Sequence, residues 1–168
     1  MTSRTSRTSR DTTPPPPAGT DLGLVDAIAQ LSFLVQNTLA EIAGEYDLSL
    51  IQTRLLGVLR DREPTMNELG RHLGLDKSSI TGLVARAQRR DLVTRSVSTI
   101  DRRVAQVSIT EAGRELIERV AERFAERIQD TVAPLAGPDQ QEFSRLASRI
   151  VTSHMHRQGI DPGTAAVH

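Results

Sequence analysis

Two short amphipathic segments joined by a glycine corner, "MNELGRHLG" and "KSSITGLVARAQRR", constrain this chain more than any other feature. Each opens on a capping residue. Thr65 and Glu68 make a capping box, in which the threonine oxygen accepts from the helix backbone and the glutamate reaches back. Gly74 closes the first segment where a left-handed residue is needed. Asp76 caps the second. Ile80, Leu83, Val84 and Ala87 then recur at three- and four-residue steps, the period of a buried helix face. Two short helices meeting at a tight Gly corner form a helix-turn-helix. Many helical proteins contain such a corner, so its surroundings decide what it is.

The surroundings are a hairpin and three longer helices. "LVTR" at 92–95 reads as a strand, "SVSTIDRR" as a polar loop, and "VAQVSIT" as a second strand with Ala105, Val107 and Ile109 pointing inward. Thr110 caps a helix reaching Val132, with Leu116, Ile117, Val120, Ala121, Phe124 and Ile128 as its stripe. "PLAGPDQ" interrupts it, and Pro138 suits the first turn of a last helix. There Phe143, Leu146, Ala147, Ile150 and Val151 face one way. Upstream, Leu24, Val25, Ile28, Leu31, Val35, Leu39 and Ile42 mark a helix over about Leu22 to Tyr46. Ser49 and Gln52 form a second capping box, opening a helix with Ile51, Leu55, Leu56 and Leu59 inward; Pro64 ends that stretch.

The expected fold is mainly α with a small β-hairpin wing: a winged helix-turn-helix with flanking dimerisation helices. One domain spans 21–157, its central lobe about 48–110 and its flanking helices about 22–46 and 111–156. Residues 1–20 hold "TSRTSRTSR" and four prolines, and read as a disordered tail carrying Arg4, Arg7 and Arg10. Residues 158–168 read as a frayed end.

Composition narrows the function. The 168 residues suffice for one sizeable core, and an aromatic share of 2% suits packed helices better than a large sheet. Cysteine is absent, which excludes disulfides, thiolate metal sites and thiol redox switches. No apolar run approaches the ~20 residues that cross a bilayer. The N-terminus lacks the apolar stretch of a secretory signal. The expectation is a cytoplasmic protein with no membrane partner. His72, His154, His156 and His168 are the only histidines, and the middle pair does not share a helix face. No nucleophile triad, phosphate loop or zinc spacing occurs. No enzyme, metal or cofactor is expected.

Charge points elsewhere. The whole chain sums to zero, yet between residues 77 and 103 Lys77, Arg86, Arg89, Arg90, Arg95, Arg102 and Arg103 face only Asp91 and Asp101. That is the footprint of a polyanion-binding surface laid on the second helix and the hairpin. Lys77, Ser78 and Ser79 occupy the first helical turn, where free N–H groups and the dipole favour phosphate. Thr81 and Gly82 share the outward face. The alternative is a winged-helix module that binds protein; such a module would not need the basic face.

The stretch from about Leu48 to Leu116, "MNELGRHLGLDKSSITGLVARAQRRDLVTR" followed by "DRRVAQVSITEAG", resembles the MarR family of winged-helix transcription regulators. That family's wing ends in Asp-x-Arg, a short strand, Leu-Thr and a glycine in the next helix. Here those positions hold Asp101-Arg102-Arg103, Ile109-Thr110 and Gly113. The resemblance implies a homodimeric repressor on a pseudo-palindromic site in double-stranded DNA, released by a small aromatic or phenolic effector. It implies that Ser78, Ser79, Thr81 and Gly82 read the major groove and that Arg102 enters the minor groove. Arg95 would meet phosphate. Asp101 and Arg103 would brace the wing, and Lys77, Arg86 and Arg103 complete the DNA-binding set. The first helix and the last two would form the dimer interface. Asp47, Gln52 and Arg54 fall near the expected effector crevice. The chain departs from the family pattern at Gly82, where a larger polar residue is common, and at Ala87 and Asp91, where Leu and Gly are usual.

Overall fold

The computed structural model describes residues 21–97 and 105–157. Among them run α1 (Gly23–Glu45), α2 (Leu50–Arg60), α3 (Met66–Leu73), α4 (Lys77–Arg89), β1 (Val93–Val97), β2 (Ala105–Ile109), α5 (Glu111–Val132) and α6 (Gly137–Arg157). The tail expected at 1–20 and the frayed end at 158–168 lie outside the described residues. So do Asp101, Arg102 and Arg103. None of the described helices is long and apolar enough to cross a membrane.

One core joins the central elements. Leu55, Leu56 and Leu59 of α2 meet Leu69 of α3, Leu83 and Val84 of α4, Val107 of β2 and Val120 of α5, all of them buried. Each such side chain contributes about 1.5–3 kcal/mol by leaving water. Both expected capping boxes are formed. Ser49 accepts from the Gln52 backbone while Gln52 accepts from the Ser49 N–H; Thr65 and Glu68 do the same. Those hydrogen bonds, from the Thr65 backbone first, hold the Glu68 carboxyl below its usual range.

Three helices end by the same device. At α1 the Leu48 N–H donates to the Ala43 carbonyl at 2.9 Å, across Asp47 at φ 55°. At α3 the Leu75 N–H donates to Gly70 at 2.9 Å, across Gly74 at φ 65°. At α4 the Leu92 N–H donates to Ala87 at 3.0 Å, across Asp91 at φ 55°. These are Schellman ends, and a leucine follows the left-handed residue each time. Leu48 and Leu92 are buried in the core. The turn therefore reverses the chain and returns an apolar side chain to the interior.

Asp91 thus stands where the resemblance implies a glycine, and it adopts the left-handed conformation that favours one. A non-glycine residue there costs about 1–2 kcal/mol. Part of any gain from glycine returns through its freer unfolded chain, about 0.4–1 kcal/mol. Asp91→Gly is therefore expected to stabilise the protein by about 0.5–1 kcal/mol. A urea titration would show a raised midpoint at unchanged slope; a lowered midpoint would mean the Asp91 carboxylate holds the fold.

The hairpin differs from its expected form at the start of β1, at its end, which runs on through Ser96 and Val97 where a loop is expected, and at Ala105. β1 starts at Val93 rather than Leu92, because Leu92 is consumed in the α4 terminus. β1 and β2 pair antiparallel with Val93 opposite Ile109, Arg95 opposite Val107 and Val97 opposite Ala105. Val107 is buried and Ile109 half-buried, as the alternation requires. Ala105, expected inward, is exposed. The Val107 N–H donates to the Pro64 carbonyl at 3.0 Å, so β2 is covered at that level. Two residues nearer the tip, the hairpin has passed its cover.

The flanking helices leave much apolar surface bare. Only Ile42 and Ala43 of α1 are buried, and no residue of α6 is. Leu24, Val25, Ile28 and Phe33 are 77%, 79%, 52% and 60% exposed, and Phe143, Ile150 and Val151 are also exposed.

Candidate nucleic-acid interface

The helix α4 is held from one side only. Ile80, Leu83, Val84 and Ala87 are buried, while Lys77, Ser78, Ser79, Thr81 and Arg86 are exposed and Gly82 is half-exposed. A rigidly seated helix therefore presents a small, polar, basic face to solvent.

Its first turn is organised by Asp76. The carboxylate accepts from the Ser79 N–H at 2.8 Å, from the Ser78 hydroxyl at 2.7 Å and from the Ser79 hydroxyl at 3.0 Å. The Ser79 backbone bond and then the two hydroxyls pull the Asp76 carboxyl down to about 2. An ionised carboxylate can only accept, so both serine hydroxyls must donate to it. Their outward lone pairs are then acceptors. Thr81 follows the same logic, because its hydroxyl donates to the Lys77 carbonyl at 2.7 Å. Three exposed hydroxyls thus offer acceptors, flanked by the cations Lys77 and Arg86.

Of the first-turn N–H groups of α4, that of Ser79 is therefore taken by the Asp76 carboxylate rather than free.

Gly82 has a steric consequence. A methyl group built there would meet the Arg86 Nη1 at 3.3 Å. The guanidinium folds back over the glycine, along a shallow groove that also takes in Ile51, Leu75 and Ser79. Arg95 of β1 is exposed, and its Nη2 donates to the Thr81 carbonyl at 3.4 Å. It lies against α4, so hairpin and helix form one basic surface. The described part of the candidate set is therefore contiguous; Asp101, Arg102 and Arg103 are the part outside it.

The effector candidates occupy separate local roles. Gln52 is spent in its capping box, with Oε1 2.9 Å from the Ser49 nitrogen. Asp47 lies in the left-handed turn after α1, and Arg54 is exposed on α2. Sequence reasoning counts Arg90 only as one charge of the basic stretch; in the fold it stands at the C-terminus of α4. Its Nη1 donates to the Asp47 carbonyl at 2.6 Å and its Nη2 lies 3.5 Å from the Tyr46 carbonyl. His72 sits between the Glu68 carbonyl, 3.1 Å from Nδ1, and the Arg62 guanidinium, 2.8 Å from Nε2.

The motif that closes the lobe also has a structural meaning. Thr110 accepts from the Gly113 N–H at 3.0 Å and donates its hydroxyl to the Asp91 carbonyl at 2.6 Å. Thr and Gly at this spacing clamp the start of α5 onto the end of α4.

Comparison with known proteins agrees with this geometry. The description of the MarR family matches residues 46–104. The uncharacterized HTH-type transcriptional regulator YhbI of Bacillus subtilis is 31% identical over 117 residues, covering 68% of this chain and 76% of that protein. Wild-type apo MarR from E. coli superposes with a TM-score of 0.69 at 19% identity, over 79% of this chain and 98% of the other. The S. aureus MepR–DNA complex gives 0.63 at 19% identity, with the same coverage. Both capping boxes and the glycine corner lie inside the matched stretch 46–104, and the chain belongs to the MarR family of winged helix-turn-helix transcriptional regulators.

Proposed function

We propose that the protein is a homodimeric, DNA-binding transcriptional repressor that sets α4 of each protomer into the major groove of a pseudo-palindromic site. The observation that carries this reading is the solvent face of α4. Lys77, Ser78, Ser79, Thr81 and Arg86 are exposed on a helix whose other side is locked into the core. Hydroxyls that can only accept suit the amino groups of adenine N6 and cytosine N4 on base edges. Lys77 and Arg86 suit guanine O6 and N7 or phosphate. Arg95 supplies phosphate contact from the hairpin, and the family resemblance assigns the minor groove to Arg102, which lies outside the described residues.

The bare apolar faces of α1 and α6 support the dimer. Contiguous apolar surface of this kind marks an interaction site. A second copy of the chain is the occupant in this reading, with both helices and α5 contributing. Control by a small aromatic or phenolic effector rests on the family resemblance alone.

The test uses a duplex obtained by in vitro selection from a random pool, with a scrambled duplex beside it. Fluorescence anisotropy should give affinities at least about a thousandfold apart at physiological salt. Sedimentation should give a dimer at micromolar concentration, free and bound. Equal affinity for both duplexes would remove sequence-specific DNA binding; a monomer that still binds tightly would remove the dimer.

Gly82 offers a finer check. Alanine in an exposed helix interior is worth about 1 kcal/mol over glycine. The added methyl meets only the movable tip of Arg86. Gly82→Ala is therefore expected to raise stability by about 1 kcal/mol in urea while weakening binding to the selected duplex, as its methyl displaces Arg86. A variant both more stable and equally tight would take Gly82 out of the interface.

A further inference from the structure

We infer that Arg90 is a positioning residue: it ties the α1 dimer face to the reading helix α4 and so fixes the half-site spacing that the protein accepts. This rests on the two-half-site reading above.

The tie is direct and charge-assisted. The carbonyls at the end of a helix carry partial negative charge and lack helical partners. Helix α1 has no basic residue in its last turn. Arg90, at the C-cap of α4, brings a cation to that end across 43 residues of sequence, 2.6 Å from the oxygen of Asp47, the residue just past the α1 C-cap Tyr46. Its second nitrogen points at the Tyr46 carbonyl, so the planar fork spans two successive carbonyls. Both partners sit in Schellman ends, at Asp47 and Asp91, where the backbone is pinned by its own hydrogen bonds. The arginine therefore joins two rigid points. Helices α1 and α4 share little packing of their own, and this fork links their ends directly.

The consequence follows from where each helix leads. Helix α1 carries Leu24, Val25 and Ile28 into the dimer face, and α4 carries Ser78, Ser79 and Thr81 to the bases. The distance between the two copies of α4 in a dimer depends on the angle each makes with its own α1. Removing the fork loosens that angle. Affinity then falls most on the site whose spacing the intact protein matches.

The experiment uses the full-length protein and three duplexes: the selected site, and the same site with one base pair inserted or deleted at its centre. Wild type should prefer the selected spacing by about tenfold or more. Arg90→Ala should compress that preference to about threefold or less, with the salt dependence unchanged. Arg90→Lys, which can reach one carbonyl but not bridge two, should fall between. If Arg90 instead touches phosphate, all three duplexes weaken equally and the salt slope drops by about one; that overturns the inference. A fall in melting temperature with the spacing ratio kept also overturns it, because the arginine is then only a staple. Should Arg90→Ala fail to fold, Arg90→Lys decides alone: a relaxed spacing ratio supports the inference and a wild-type ratio overturns it. If wild type binds no selected duplex, the DNA-binding proposal itself fails and this inference with it. If wild type binds with no spacing preference, DNA binding stands and the inference falls.

Discussion

Gly113→Ala is expected to cost the fold about 3 kcal/mol or more, and with it DNA binding. A Cβ at this position would lie 2.1 Å from the Leu92 carbonyl oxygen, 2.9 Å from the Ile109 side chain and 3.0 Å from the Leu92 carbonyl carbon. The first of these is far inside any tolerated contact, and its partner is backbone. That backbone cannot yield cheaply. The Leu92 N–H is bonded to Ala87, the Leu92 carbonyl accepts from the Thr110 N–H at 3.1 Å, and the Leu92 side chain is buried. Relief requires the first turn of α5 to lift away from β1. The Thr110 cap and the hairpin register would go with it. Overpacking usually costs about 1–3 kcal/mol when side chains can adjust; here the obstacle is main chain, so the upper end or beyond is expected. Urea denaturation followed by circular dichroism measures this directly. A variant within about 1 kcal/mol of wild type would show that α5 is not clamped as described.

Thr81→Glu is expected to abolish specific DNA binding while leaving the protein folded and dimeric. Thr81 is exposed in the middle of α4, and its hydroxyl bonds only to its own helix. Glutamate is at least as good a helix former as threonine, so stability should hold or rise slightly. Facing DNA, the new carboxylate meets phosphate and base acceptors. Like charges brought together at an interface cost several kcal/mol, so a loss of about a hundredfold or more is expected. Anisotropy on the selected duplex, with sedimentation and thermal melting as controls, reads the result. Retained affinity would turn this face of α4 away from DNA.

Local chemistry made much of this legible. Ser49 with Gln52, Thr65 with Glu68, Gly74, and Thr110 with Gly113 each announce a helix end through side chains that have few other reasons to occur at that spacing. The buried stripe of α4 follows from period alone. What failed to show was non-local or substituted. Asp47 and Asp91 end their helices in a left-handed turn, but an aspartate does not advertise that conformation as a glycine does. Ala105 alternates correctly, yet alternation does not say how far along a hairpin the helices provide cover. Arg90 reads as one more charge at a helix end until the fold brings it to Asp47. Asp76 was legible as a cap, and its effect on the serine protons was not, because that depends on hydroxyl geometry rather than on residue type.

The central claim is that two copies of α4 address one DNA site in two-fold symmetry. A hydroxyl-radical footprint of the wild-type protein on the selected duplex tests it most directly. The expected result is two equivalent protected patches, related by a dyad and centred about 10 bp apart. A single patch, or protection spread evenly along the duplex, would contradict it.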